Sequence, residues 1–340
     1  MGESFGSNKF GVLLSPSFLL PMRIQLPYRT PHTPAIRLES FLVLLGLSLA
    51  MAVLAPGFLS INNFLNILLA TAVIGILAIA ATFVLSSAGL DLSLGSLLAV
   101  GGVVVGVLGV NLGLPWWVAL AGGLAAGVLL GGVNGYLIAR AGIPAFIVTL
   151  GMLSVGRGLS LLIADGKPIY GLPPAITFLG QGRFLEVPVP VWILLSLTLV
   201  FHLILTRTRF GRYTLVIGDN EMAARVTGID VAAHKIRLYM LSGGLAALAG
   251  VLFAARVNAA DPTAGISYEL SAITATVIGG TNLFGGRGTV VGALIGALIM
   301  GILQNGLNLM AIPAFYQQVA IGSVLVLAVW LDRIRDRRPA

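Results

Sequence analysis

Cysteine is missing from all 340 residues, which excludes disulfides and any metal or redox centre built on thiolates. Charge is scarce as well: 20 Lys+Arg and 12 Asp+Glu make up only 9% of the chain. Three histidines occur, His32, His202 and His234, with no H-E-x-x-H pair and no Ser-His-Asp set in a suitable context. No G-x-x-x-x-G-K-[ST] is present either. The glycine-rich run 285–289, GGRGT, has no preceding strand and no Lys to reach a nucleotide phosphate. These gaps argue against an enzyme, a metal site and a resident cofactor. ATP and Mg, if the chain depends on them, belong to another polypeptide.

What the chain has in quantity is apolar side chains, 57% of residues, with a mean hydropathy of +1.00. That composition predicts an all-α polytopic membrane protein, because about 20 apolar residues carry a helix across the hydrocarbon core. Residues 92–139 and 288–331 hold no charge at all, and each is long enough for two crossings. About ten spans are expected, at 39–56, 65–87, 93–111, 116–139, 144–163, 189–206, 237–256, 269–281, 289–311 and 314–331. The 44 glycines fit such a bundle, since small residues let helices approach closely in lipid.

Orientation follows from Lys and Arg, which collect on the cytoplasmic side. With both termini inside, 16 of the 20 are cytoplasmic, Lys167, Arg183 and Arg256 are external, and Arg157 lies within a span. The net charge of +8 is then explained by topology and anionic lipid, without nucleic acid. Residues 1–37 read as a disordered basic cytoplasmic tail or as sequence upstream of the true start, 38–332 as the membrane domain, and 333–340 as a second basic cytoplasmic tail.

Two stretches break the helical pattern, SSAGLDLSLGS (86–96) and GGTNLFGGRGT (279–289). Each ends in Gly-Ser or Gly-Thr, a hinge and N-cap signal for the following helix. Both read equally well as broken helices beside a substrate path or as tight cytoplasmic turns. Asp91 is an acid between apolar runs, and it or Ser93 can accept from free N–H groups at the next helix start. Asn134, Asn305 and Asn308 read as interhelical hydrogen-bonding groups. Asp91, Ser93, Asn282, Phe284 and Asn305 are the candidates for a translocation path or helix break.

The segment 207–237 concentrates nine of the 32 charges and cannot lie in lipid. Gly218 is expected to end a loop and Asn220 to cap a helix over Glu221–Thr227. Glu221 precedes Arg225 by four residues, the favourable order for an ion pair. Met222, Val226 and Ile229 follow i, i+4, i+7 spacing as one apolar face, Ala223 and Ala224 allow close approach, and Gly228 is a C-terminal stop. A two-turn helix is marginal in water, so packing must hold it. A partner surface and a connector lying against the bundle both satisfy these observations.

The residues GDNEMAARVTGIDVAAHKIRLYMLSGGLAALAGVL (218–252) resemble the cytoplasmic loop and next span of permeases of the ribose/simple-sugar ABC importer family. GLDLSLGS (89–96), FLGQGRFLEVPVPVW (178–192) and GGTNLFGGRGTVVGALIGALIMGILQNGLNL (279–309) resemble further segments of it, so the likeness covers roughly residues 40–331. It implies a bacterial inner-membrane permease of about ten helices, paired with a second copy and working by alternating access. An external sugar-binding protein would deliver a ribose-like monosaccharide, and a cytosolic ATP-binding cassette ATPase would dock inside. Gly218, Asn220, Glu221, Ala223, Ala224, Arg225 and Gly228 then match the loop that meets the ATPase. The same architecture could carry a nucleoside, an autoinducer sugar or a branched-chain amino acid. An ion-coupled carrier is disfavoured by the few charges within the spans.

Overall fold

The computed structural model describes residues 1–2 and 38–336; both basic tails, apart from 1–2 and 333–336, fall outside the described residues. Among the described residues seven helices are long and apolar enough to cross a membrane. They are α2 (Ile61–Ser86), α3 (Leu94–Gly106, prolonged by a π turn to Asn111), α4 (Trp116–Ala139), α5 (Ala145–Ile163), α7 (Val189–Arg207), α10 (Val231–Val257) and α12 (Val290–Leu309). Three shorter apolar helices join them: α1 (Leu38–Leu54), α11 (Tyr268–Ile278) and α13 (Ala314–Asp336), whose apolar part ends at Trp330. The protein is therefore an all-α polytopic membrane protein. Its strands are two-residue ladders, β1 (Ile169–Tyr170) with β4 (Ala259–Ala260) and β2 (Arg183–Phe184) with β3 (Val187–Pro188).

Local sequence sets the helix ends. Ser60 starts α2 by accepting from Asn63 N at 3.2 Å, and Asp230 starts α10 by accepting from Ala233 N at 3.0 Å. Both helices therefore begin earlier than hydropathy alone predicts, because a polar first turn lowers the windowed signal without weakening the helix. Two short helices escape a hydropathy reading altogether: α6 (Pro174–Gln181) in the connection between α5 and α7, and α8 (Arg209–Asp219) in the charged segment.

The core is a seam of α3, α4 and α10 at backbone contact. A side chain on Gly250 would strike the Leu98 carbonyl oxygen, one on Gly131 the Tyr239 carbonyl, and Gly127 and Gly243 face each other's carbonyls. The abundant glycine is thus used where helices touch. Around this seam α2 is almost wholly buried, whereas α4, α5 and α7 each expose one side.

One helix starts within the bundle and another is only part-length. Asp91, just before α3, is bonded to Ser242, and Leu98 of α3 packs on Gly250, so α3 starts beside the middle of α10. Helix α11 has 11 residues, about 16 Å of helix against a hydrocarbon core of about 30 Å. The expected span 269–281 is therefore a half-helix, entered by an irregular stretch, 261–267.

Candidate functional site

The two broken stretches and the charged segment meet at one junction. Gly286 N donates to Ser86 O at 3.1 Å. Gly218, in the last turn of α8, lies against the same Ser86 carbonyl and against Gly286 N, which leaves no room for a side chain. Gly285, at φ +95°, packs on Gly218 O and Ala88 in a backbone region that L side chains rarely adopt. The loop 279–289 is tied internally: Asn282 N donates to Arg287 O at 3.1 Å and Asn282 Oδ1 accepts from Phe284 N at 2.7 Å. Phe284 itself points outward. Thr289 caps α12 by accepting from Gly292 N at 3.1 Å. Ser96, its counterpart in the first stretch, is already inside α3, and Ser93 at that N-cap position makes no capping bond.

Gly218 does not end a loop, because α8 continues to Asp219. Thr208 opens α8 by accepting from Gly211 N at 3.3 Å, and Gly211, Thr214 and Ile217 turn inward with Arg209 and Arg212 outward. Two contacts fasten α8 to the bundle. Thr214 Oγ1 lies 2.9 Å from His234 Nε2 of α10. Phe210 stacks between His234, with ring centroids 4.6 Å apart, and Phe83 of α2, at 6.1 Å.

Helix α9 (Glu221–Val226) follows after a single residue, Asn220, which accepts from Ala223 N at 2.9 Å. Ala224 is fully buried among Ile217, Val231 and Ile229. Glu221 is clasped twice, by Arg225 at 2.7 Å and by Lys235 of α10 at 2.6 Å. Partial burial works against its ionisation, but the two hydrogen bonds outweigh that and hold its carboxyl below the usual carboxylate range. The expected three-residue apolar face divides. Met222 and Val226 are 70% and 82% exposed, whereas Ile229 faces inward. The reason is Gly228: at φ +85° it ends the helix and redirects the chain, so helical periodicity does not reach Ile229. Lys235, the residue that anchors Glu221 to the bundle, was not singled out by sequence because its partner lies 14 positions away.

Asp91 is 2% exposed and fully bonded. Its Oδ1 accepts from Ser93 N at 3.0 Å and Ser93 Oγ at 2.6 Å, and its Oδ2 accepts from Ser242 Oγ at 2.6 Å. Asn134 of α4 donates to Ser93 Oγ at 3.0 Å, and Tyr239 OH donates to Leu90 O at 3.1 Å. This network pins the α2–α3 connection to α4 and α10; low local dielectric makes each of its bonds costly to lose. The five candidates for a path or helix break therefore divide among three places. Asp91 and Ser93 share the buried network, and Asn282 and Phe284 lie in the junction loop. Asn305 donates to Asn63 Oδ1 at 2.8 Å between α12 and α2.

The charged segment is thus joined by backbone contact to both breaks in the helical pattern. A family profile described as "Branched-chain amino acid transport system / permease component" matches residues 63–329. The chain belongs to this permease family. The permease is 42% identical over 301 residues to the ribose import permease protein of Haemophilus influenzae, covering 87% of this chain and 93% of that one. It is 44% identical over 299 residues to the ribose import permease protein of Bacillus subtilis, with 87% and 92% covered. Against the D-allose transport system permease protein of Escherichia coli it is 38% identical over 280 residues, with 82% and 85% covered. The permease is accordingly a multi-pass inner-membrane transport component and not an enzyme.

Proposed function

We propose that this permease is the membrane subunit of an ATP-driven importer that carries a simple sugar, a ribose-like monosaccharide, handed over by an external binding protein. Ten crossings, with both termini inside, fit the seven long and three shorter apolar helices and the inward bias of Lys and Arg. A second copy completes the path. A cytosolic ATPase, which supplies ATP and Mg, docks on 218–228, the segment holding Gly218, Asn220, Glu221, Ala223, Ala224, Arg225 and Gly228.

One observation carries this reading of the loop: α9 exposes Met222 and Val226 while Glu221 and Ala224 lock its other side to α10 and α8, and Gly218 of α8 seats on α2 and the 279–289 loop. A push on the exposed side is transmitted without slack, since each link is an ion pair, a buried contact or a backbone contact. ATP-driven closure of the partner then moves α8 and α9 as one piece, and the junction passes the displacement to both helix breaks. The test is uptake of labelled ribose into vesicles with and without the ATPase subunit. ATP-dependent uptake that needs the ATPase supports the reading; uptake that persists without it and follows an ion gradient refutes it. Uptake of leucine in place of ribose would move the substrate to the branched-chain amino acids named in the family description. The double substitution Glu221→Arg with Ala224→Asp should abolish ATPase co-purification from membranes that still contain the permease.

A further inference from the structure

Arg157 has no part in the junction, yet it is the charge that the sequence places inside a membrane span. It lies in the outer half of α5 and is only partly covered. Its Nη1 donates to Pro262 O and to Ala264 O, both at 2.8 Å, and Ser160 Oγ supports the same Pro262 carbonyl at 2.8 Å. Glu269 and Asp261 are its acidic neighbours. Among the described residues its Nη2 and Nε carry no hydrogen bond.

The stretch that Arg157 holds, 261–267, descends into the bundle. It begins at the β1–β4 ladder next to the outer end of α10. It reaches Gly95 at Gly265 and Glu269, and Gly95 lies between Asp91 and Leu98, which are level with the middle of α10. The descending backbone is irregular, with Ser267 at φ +66°. Beside these bonds Ser154 and Gly158 of α5 and Thr263 and Ile266 of the stretch are exposed, Ile266 to 58%. Lipid cannot cover such a surface. Irregular backbone and ionised side chains at membrane depth are tolerated only inside protein or along a water-filled cavity.

We propose that the outer half of the translocation path runs along this groove between α5 and residues 261–267. A neutral polyhydroxylated solute passes there by exchanging hydrogen bonds with the free donors of Arg157, the second carboxylate oxygen of Asp261 and the hydroxyl of Ser154. Asp261 Oδ1 is already taken by Thr263 N and Oγ1, both at 2.7 Å, which leaves Oδ2 to accept. Arg157 is anchored through one nitrogen only, so it keeps its position while its remaining donors turn toward the solute. The assignment of the solute rests on the importer reading above, whereas the water-lined groove does not.

The chain contains no cysteine, so single cysteines report without a background. Ser154→Cys, Ile266→Cys and, on the apolar outer side of α7, Leu199→Cys are placed in the permease reconstituted with its ATPase and binding protein. A membrane-impermeant cationic methanethiosulfonate is applied from the external side. The expected result is labelling of Ser154→Cys and Ile266→Cys with at least a tenfold loss of ribose uptake, and no labelling of Leu199→Cys. Failure of both to label, with and without ATP, overturns the groove, as does full labelling without loss of uptake. Arg157→Gln should lower the maximal uptake rate about tenfold with an unchanged half-saturating sugar concentration, which the binding protein sets. A wild-type rate in Arg157→Gln overturns the contact role. Labelling of Ser154→Cys in the Arg157→Gln background shows that the variant is folded. Absent ribose uptake by the unmodified complex refutes the importer reading alone, since labelling still reports on the groove.

Discussion

Replacing Gly250 by alanine adds one methyl group to the C-terminal part of α10, and the structure gives it no space. The new Cβ would strike the Leu98 carbonyl oxygen, and the Leu98 carbonyl carbon would stand 2.7 Å away, where ordinary contact begins at 3.4 Å. Both obstacles are backbone, so no rotamer change relieves them and α3 must move away from α10. A gap of 0.5–1 Å forfeits roughly a quarter to a half of the dispersion well at each contact it opens. The loss is shared along the seam, because Gly101 with Ala247 and Gly127 with Gly243 also leave no room for a side chain. Alanine is the better helix former by about 1 kcal/mol, but overpacking of this kind costs roughly 1–3 kcal/mol. The steric term wins. The net cost is up to about 2 kcal/mol, so the thermal midpoint of the detergent-solubilised permease should fall by up to roughly 8 °C, and the Asp91 network, which bridges the same helices, should loosen. Gly151→Ala is the control: its Cβ meets nothing within 4 Å, so only the helix-propensity gain remains. Equal midpoints for Gly250→Ala and Gly151→Ala would refute the claim that close backbone approach holds the seam.

Asp91→Ala leaves the Ser93 N–H and the Ser93 and Ser242 hydroxyls without their acceptor; at about 1–3 kcal/mol for a buried unpaired group, it should cut the folded yield sharply, and near wild-type yield would contradict the network's role. Asn220→Ala should destabilise α9 by about 1 kcal/mol, read as faster amide exchange at Ala223 while α10 stays protected. Glu221→Gln should weaken ATPase co-purification and change global stability by less than about 1 kcal/mol, since its two ion pairs are partly exposed. The Glu221 carboxyl lies lower when folded than its ordinary 4.5, so the stabilisation from its clasp is complete above that value and is lost as pH falls through the lower, folded one. ATPase binding should therefore be constant from pH 8 to pH 6, and a loss inside that interval would point to a different group.

Features that depend on local sequence were readable in advance. The long apolar runs predicted α2 to α5, α7, α10 and α12, because length and hydropathy alone decide whether a helix can cross. The Asn220 cap, the Glu221–Arg225 pair and the Gly228 stop were visible as short-range spacings. Reading failed where periodicity was carried past a break, as at Ile229, or where amphipathic character was hidden by charge, as in α8. The Thr208 cap and the inward spacing of Gly211, Thr214 and Ile217 were the signals that could have revealed α8. Lys235, Ser242 and Arg157 could not be given their roles, since each partners residues 14 to 151 positions distant.

By itself the sequence determined that this chain lives in a membrane and which segment is too charged to lie in lipid. Those properties are sums over composition and short spacings, which do not depend on how the helices pack. Only the tertiary structure decided that α3 starts beside the middle of α10 and that α11 is part-length, that the two broken stretches and α8 meet at Ser86, Gly218 and Gly286, and that Arg157 holds the backbone at Pro262 and Ala264. Such contacts arise from helix rotation and depth, and a single sequence does not encode either in any local pattern. Small residues permit many helix pairings, and burial of the Asp91 network with the carbonyl contacts of glycine selects among them.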